Sequence, residues 1–112
     1  MLMPKQLESS AQLIDFLQQH PAVVVYFSGK DCGVCQVLRP RIIKMLQEEF
    51  PRLAIAEVEC SAAPELAAQQ LVFALPVVVV FFHGKEQLRL ARNFTPDQLA
   101  ATLARPYALF FA

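Results

Sequence analysis

The sequence predicts an α/β domain: a mixed sheet of four or five strands with helices on both faces. Three observations predict it. Two runs, Ala22 to Phe27 and Val77 to Phe82, are β-branched or aromatic and apolar at nearly every position, the pattern of strands covered on both sides. The segments around them carry apolar residues at helical spacing. The second run leads through a glycine turn into an alternating strand, so the sheet ends in an antiparallel hairpin.

The elements follow in order. Leu13, Phe16 and Leu17 share one helical face, with Ser9 and Gln12 as a capping box ahead of them and His20-Pro21 as the stop. Ala22 to Phe27 is a buried strand that runs into the turn SGKDCGVC. A long helix follows, with Val34, Val37, Leu38, Ile42, Leu46 and Phe50 on or near one face, a kink expected at Pro40, and Pro51 as its end. Leu53 to Val58 is a second buried strand, and Ser61 to Gln70 a short helix with Ser61 near its cap. After Val77 to Phe82, His83-Gly84-Lys85 turns the chain into a strand where Leu88 and Leu90 alternate with Gln87 and Arg89. Thr95-Pro-Asp-Gln98 opens the last helix, whose face includes Leu99 and Leu103 and whose expected stop is Pro106. The tail, Tyr107-Ala-Leu-Phe-Phe-Ala, is expected to fold back onto the sheet or the last helix, with a protein-contact patch as the alternative.

Composition narrows the function. The 112 residues suit one domain, 1–112, and 55% of them are apolar, enough for a sizeable core. Ten basic and ten acidic residues cancel, which argues against nucleic acid and anionic membranes as partners. The longest apolar stretch, Phe73 to Phe82, contains Pro76 and falls well short of the roughly 20 residues a membrane span needs. The N-terminus, MLMPKQLESS, lacks the pattern of a secretory signal, so the expected location is the cytoplasm and the expected state a monomer or weak dimer.

The three cysteines, Cys32, Cys35 and Cys60, are too few and odd in number for a disulfide scaffold. Cys32-Gly-Val-Cys35 sits where a buried strand becomes a helix. The first turn of a helix offers unpaired N–H groups and the positive end of the macrodipole, so a Cys32 thiolate is stabilised and its pKa falls below the free value of about 8.5. Cys35 lies within the same turn, in reach of a disulfide. This points to thiol–disulfide exchange, Cys32 attacking and Cys35 resolving. A zinc site would need four ligands, and Cys60, His20 and His83 show no paired spacing, so neither a metal nor a bound cofactor is expected. Cys60 reads as an inert, semi-buried thiol, and the two histidines as solvated turn residues.

Five features together resemble the thioredoxin family along nearly the whole chain: the VVVYF strand, Cys32 with Cys35, Pro40 in the next helix, Leu75-Pro76 before the VVVVFF strand, and Gly84 in the hairpin. The resemblance implies the thioredoxin fold and action on protein disulfides, with electrons from a reductase the sequence does not name. It implies that Pro76 is cis and faces the cysteines, that Leu75 bonds substrate backbone, and that Gly33 and Val34 border the bound partner. The departures matter as much. Asp31 stands where the family has Trp and Val34 where it has Pro; Asp31 opposes ionisation of Cys32 while Lys30 favours it. Tyr26 replaces a buried Asp that helps deprotonate the second Cys, and Glu57 replaces a nearby Lys. The expectation is an exchange of roles, with Glu57 supplying the carboxylate, bonded to the Tyr26 hydroxyl and raised by burial toward a useful range; the bland alternative is a solvated Glu at a strand end. Arg92 lies near a glycine that borders the substrate groove in the family, and reads either as a selector of acidic partners or as a solvated edge residue. These departures also leave open a rival function, an adaptor or assembly module whose cysteines are vestigial.

Overall fold

The computed structural model describes residues 3–112. In chain order the elements are β1 (Lys5–Gln6), α1 (Ser10–Gln19), β2 (Ala22–Ser28), α2 (Gly33–Glu49), β3 (Ala54–Glu59), α3 (Pro64–Gln69), β4 (Val77–Phe82), β5 (Lys85–Ala91) and α4 (Pro96–Phe110). The sheet has five strands in the order β1-β3-β2-β4-β5. β1 and β2 run parallel to β3, while β4 pairs antiparallel with both β2 and β5. β2 is central, and Ala22 to Phe27 are all buried.

The pleat of β2 divides the core. Val23, Val25 and Phe27 pack with Leu13, Phe16 and Leu66 on the α1 and α3 side. Ala22, Val24 and Tyr26 pack with Leu38, Ile42, Leu46, Leu99 and Leu103 on the α2 and α4 side. Continuous apolar sequence is what this placement requires, since no position on β2 from Ala22 to Phe27 has water to face.

Local chemistry sets most boundaries. Thr95 and Gln98 form a complete capping box at α4, with Pro96 in the first turn. At α1 the Ser9 hydroxyl accepts the Gln12 N–H at 3.1 Å, but the Gln12 side chain accepts from Glu8 rather than closing the predicted box. Pro40 sits inside α2, which continues to Glu49 and stops before Pro51. His83 and Gly84 turn the hairpin with φ of 50° and 78°, the doubly positive geometry of a tight two-residue loop.

Three further features differ from expectation. β1 has no signal of its own in sequence; both its residues are exposed, and it exists by pairing with the edge of β3. α3 starts at Pro64 and is not capped by Ser61, because the Glu59 carboxylate and carbonyl take the Ala62 and Ala63 N–H groups first. Pro106 does not stop α4, which runs on to Phe110. The lost hydrogen bond is outweighed by aromatic packing beyond it. Phe110 stacks on Phe82 at 4.3 Å, Tyr107 meets Phe50 edge-on at 5.0 Å, and the Arg52 guanidinium lies 4.1 Å over Phe111. The tail therefore folds onto the α2 and α4 side of the core. Deleting Tyr107 to Ala112 should uncover Phe50 and Phe82 and lower the unfolding free energy by about 2–4 kcal/mol, read as a drop in the urea midpoint.

Candidate active site

β2 ends at Ser28, and the chain makes a short turn before α2. The Gly29 carbonyl accepts the Cys32 N–H at 3.2 Å, which fixes Cys32 as the N-cap of α2. Cys32 Sγ then accepts the Cys35 N–H at 3.2 Å. The two residues form a disulfide, with Cα atoms 5.2 Å apart. Cys35 is fully buried, whereas Cys32 is partly exposed. A side chain at Gly33 would meet nothing within 4 Å, so the space beside Cys32 is open to a partner.

The Leu75–Pro76 bond is cis, as the resemblance implies. Leu75 packs against the turn itself. A Cβ at Gly29 would lie 2.9 Å from Leu75 Cδ1, so the absence of a side chain at Gly29 is what lets the two segments meet. Pro76 is buried and its carbonyl accepts the Arg92 N–H at 2.7 Å. Arg92 has φ of 62°, a left-handed conformation that costs a residue other than glycine roughly 1–2 kcal/mol. Gly33, Val34, Val37, Leu38, Phe94 and Arg92 line one groove next to Cys32. Val34 and Val37 stand 60% and 65% exposed there, unusually open for valines.

Glu59 ties the turn down from the other side. Its carboxylate accepts the Lys30 N–H at 2.7 Å and the Ala62 N–H at 2.8 Å. Desolvation raises its pKa, but these bonds together with those from Ser61 outweigh it and hold the group below the usual carboxylate range. Asp31, between that anchor and Cys32, is exposed.

Behind Cys35 the structure departs from expectation. Tyr26 and Glu57 are register partners on adjacent strands. The Tyr26 hydroxyl, however, donates to the Cys35 backbone carbonyl at 2.9 Å rather than to Glu57. Glu57 is buried and accepts instead from Arg39 Nε at 3.0 Å and Gln6 Nε2 at 3.2 Å, with Arg39 Nη2 2.5 Å from its other oxygen. The physical reason is the α2 repeat. Arg39 lies one turn beyond Cys35 on the same helix face and brings a cation to the buried carboxylate, leaving the phenol to the helix carbonyl. Nor is Glu57 the solvated strand-end residue of the bland reading. Burial first, and the Glu57 charge second, push the Tyr26 hydroxyl up to about 12, against a smaller lowering from Arg39.

Gly33, Val34 and Arg92 thus line one groove beside Cys32, Leu75 packs against the turn at Gly29, and Tyr26 bonds the Cys35 carbonyl, while Glu57 is held by Arg39 and Gln6 and Pro76 is placed by its bond to Arg92. Gly29, Arg39 and Glu59 were not foreseen. Only Arg39 carried a sequence signal, its four-residue spacing from Cys35. Cys60 donates its N–H to the Ser28 carbonyl at 2.8 Å at the start of the turn; burial, then the Glu59 charge, push its thiol up to about 11, which keeps it protonated near neutral pH. Among the described residues no group of three or more His, Cys, Asp or Glu side chains is arranged to hold a metal.

Residues 5–105 match the family model for thioredoxin. The chain belongs to the thioredoxin family. It is similar to thioredoxin-like protein YdfQ of Bacillus subtilis, 31% identical over 104 residues that cover 93% of this chain and 92% of that one. It is 33% identical to the thioredoxin of Chlamydia trachomatis over 74% of this chain and 80% of the other. Among solved structures, a mutant thioredoxin from Halobacterium salinarum superposes with a TM-score of 0.81 at 25% identity, covering 93% of this chain and 89% of its own. The chain has the thioredoxin fold and is a thiol–disulfide oxidoreductase of that family. Its relatives include mitochondrial thioredoxin in Mus musculus and chloroplastic thioredoxin X in Arabidopsis thaliana, so membership does not fix a compartment. No helix among the described residues is long and apolar enough to cross a membrane.

Two measurements check the buried polar cluster. Tyr26→Phe should cost about 1 kcal/mol through the lost bond to Cys35. In the unsubstituted protein, because the folded pKa lies above the free value, the Tyr26 contribution is complete below about pH 10 and is lost as pH rises through about 12, visible as alkaline destabilisation that Tyr26→Phe removes. Arg39→Ala should strand the Glu57 carboxylate and cost about 2–3 kcal/mol in chemical unfolding, below the figure for a fully enclosed pair because Arg39 is a third open to water. Combining Arg39→Met with Glu57→Leu should recover much of that loss.

Proposed function

We propose that this protein reduces disulfides in other proteins through Cys32 as nucleophile and Cys35 as resolving thiol, in a single domain spanning 1–112. The observation that carries the reading is Cys32 Sγ at the N-terminus of α2, facing the Cys35 N–H and bonded to the Cys35 sulfur. A thiolate at that place is stabilised by the same N–H and by the helix dipole.

The Cys32 thiolate attacks one sulfur of a partner disulfide; a Cys32–partner bond forms, and the other partner sulfur leaves as a thiolate that takes a proton. Cys35 loses its proton and attacks Cys32 Sγ; the intramolecular disulfide forms and the second partner thiol is released. Two electrons pass to the partner, and an unidentified reductase restores the dithiol. Gly33, Val34, Leu75, Pro76, Asp31 and Arg92 border the bound partner. Tyr26 positions Cys35 by holding its carbonyl, and Glu57, on the α2 side of the sheet, takes up the Cys35 proton. A reducing compartment suits a chain that keeps Cys60 as a free thiol, and we place it in the cytoplasm, acting as a monomer or weak dimer.

The test is reduction of a model protein disulfide in the presence of a dithiol reductant. Cys32→Ser should abolish turnover, Cys35→Ser should accumulate the mixed disulfide, and Glu57→Gln should slow release from that intermediate while sparing the first attack. Turnover no greater than that of Cys32→Ser would reduce the chain to a thioredoxin-like adaptor; unchanged release kinetics in Glu57→Gln would remove Glu57 from the mechanism.

A further inference from the structure

We infer that Arg92 makes this oxidoreductase selective for polypeptide disulfides flanked by an acidic residue. Such selectivity rests on the exchange chemistry proposed above and adds to it the charge of the partner.

The groove beside Cys32 is apolar on its α2 side, where Gly33, Val34 and Val37 line it. Among the described residues lining it, Arg92 alone is ionisable; the remaining polar ones, Asn93, Thr95 and Gln98, are neutral. Arg39 and Arg89 are committed to Glu57 and Glu86. The Arg92 guanidinium has no hydrogen bond or ion pair among the described residues, so its charge is uncommitted in the free protein. Its backbone is anchored at both ends of the residue: the N–H donates to the Pro76 carbonyl at 2.7 Å, and the carbonyl accepts the Phe94 N–H at 3.1 Å. The root of the side chain is therefore fixed against the cis-proline segment, and only the guanidinium is left to adjust.

The backbone here is costly for an arginine. At φ of 62° a glycine would sit without strain, yet an arginine occupies the position. Lys30 and Asp31, which precede Cys32, are exposed and opposite in sign. Arg92 thus leaves a net positive charge at the groove. A partner strand lying over Val34 and Val37 would cover the groove and partly desolvate the guanidinium. A carboxylate on that strand then gains a charge-assisted, two-pronged hydrogen bond, whereas a lysine meets a like charge.

The experiment uses the full chain and three disulfide-linked peptides that differ only in the residue after the attacked cysteine: Asp, Asn or Lys. The second-order rate constant of reduction should be about fivefold higher for Asp than for Asn, and lowest for Lys. The Asp-to-Asn ratio should fall toward one at high salt, in Arg92→Gln and in Arg92→Gly, and should persist in part in Arg92→Lys. Three equal rates in the unsubstituted protein, a ratio indifferent to salt, or a ratio that survives Arg92→Gly and Arg92→Gln, would overturn the role of Arg92 and leave disulfide reduction standing. Reduction of none of the three above the Cys32→Ser control would overturn both.

Discussion

The Cys35 amide aimed at the Cys32 sulfur is the contact on which the site depends, and it exists only if the first turn of α2 is held still. Four parts of the chain hold it. β2 delivers the turn from the centre of the sheet, Glu59 grips the Lys30 amide just before it, Leu75 presses against Gly29, and Tyr26 bonds the Cys35 carbonyl from beneath. The supports come from both sides of the central strand. The Cys32 sulfur therefore stands at the meeting point of both halves of the sheet, with Cys35 shut away from solvent.

The polar chemistry under that turn is built differently from what a simple exchange of residues would give. A buried carboxylate on β3 needs a cation, and α2 supplies it through Arg39. Once that pair forms, the phenol of Tyr26 is free to serve the helix backbone instead. Its proton is held tightly by burial, so it remains a donor across the whole range in which a thiol changes charge. A neutral donor and a closed ion pair together leave no unpaired charge against the core.

Much of this was legible in the sequence because it is local. The two valine-rich runs can be buried on both faces only as interior strands, and Thr95-Pro-Asp-Gln98 is a helix start by its own hydrogen bonds. Cys32 and Cys35 declare their place by spacing and by the strand before them. What could not be read depends on partners distant in the chain. β1 is two exposed residues made into a strand by the edge of β3. Pro106 looks like a stop until Phe50 and Phe82 are seen waiting for the aromatic residues past it. The Tyr26 hydroxyl had two acceptors within its neighbourhood, and sequence does not say which one Arg39 will claim first.

The division of β2 between two apolar layers has a further effect. A strand that reads Val-Val-Val carries almost no record of which side chain belongs on which side, since sliding it by one residue still buries valine against valine. The alignment must be written elsewhere. Tyr26 fits only where a helix carbonyl can receive its proton, and Glu57 only where Arg39 can reach it. Two polar side chains thus act as an index mark for an otherwise apolar interior, and one of them, Tyr26, also bonds the helix turn that carries the disulfide.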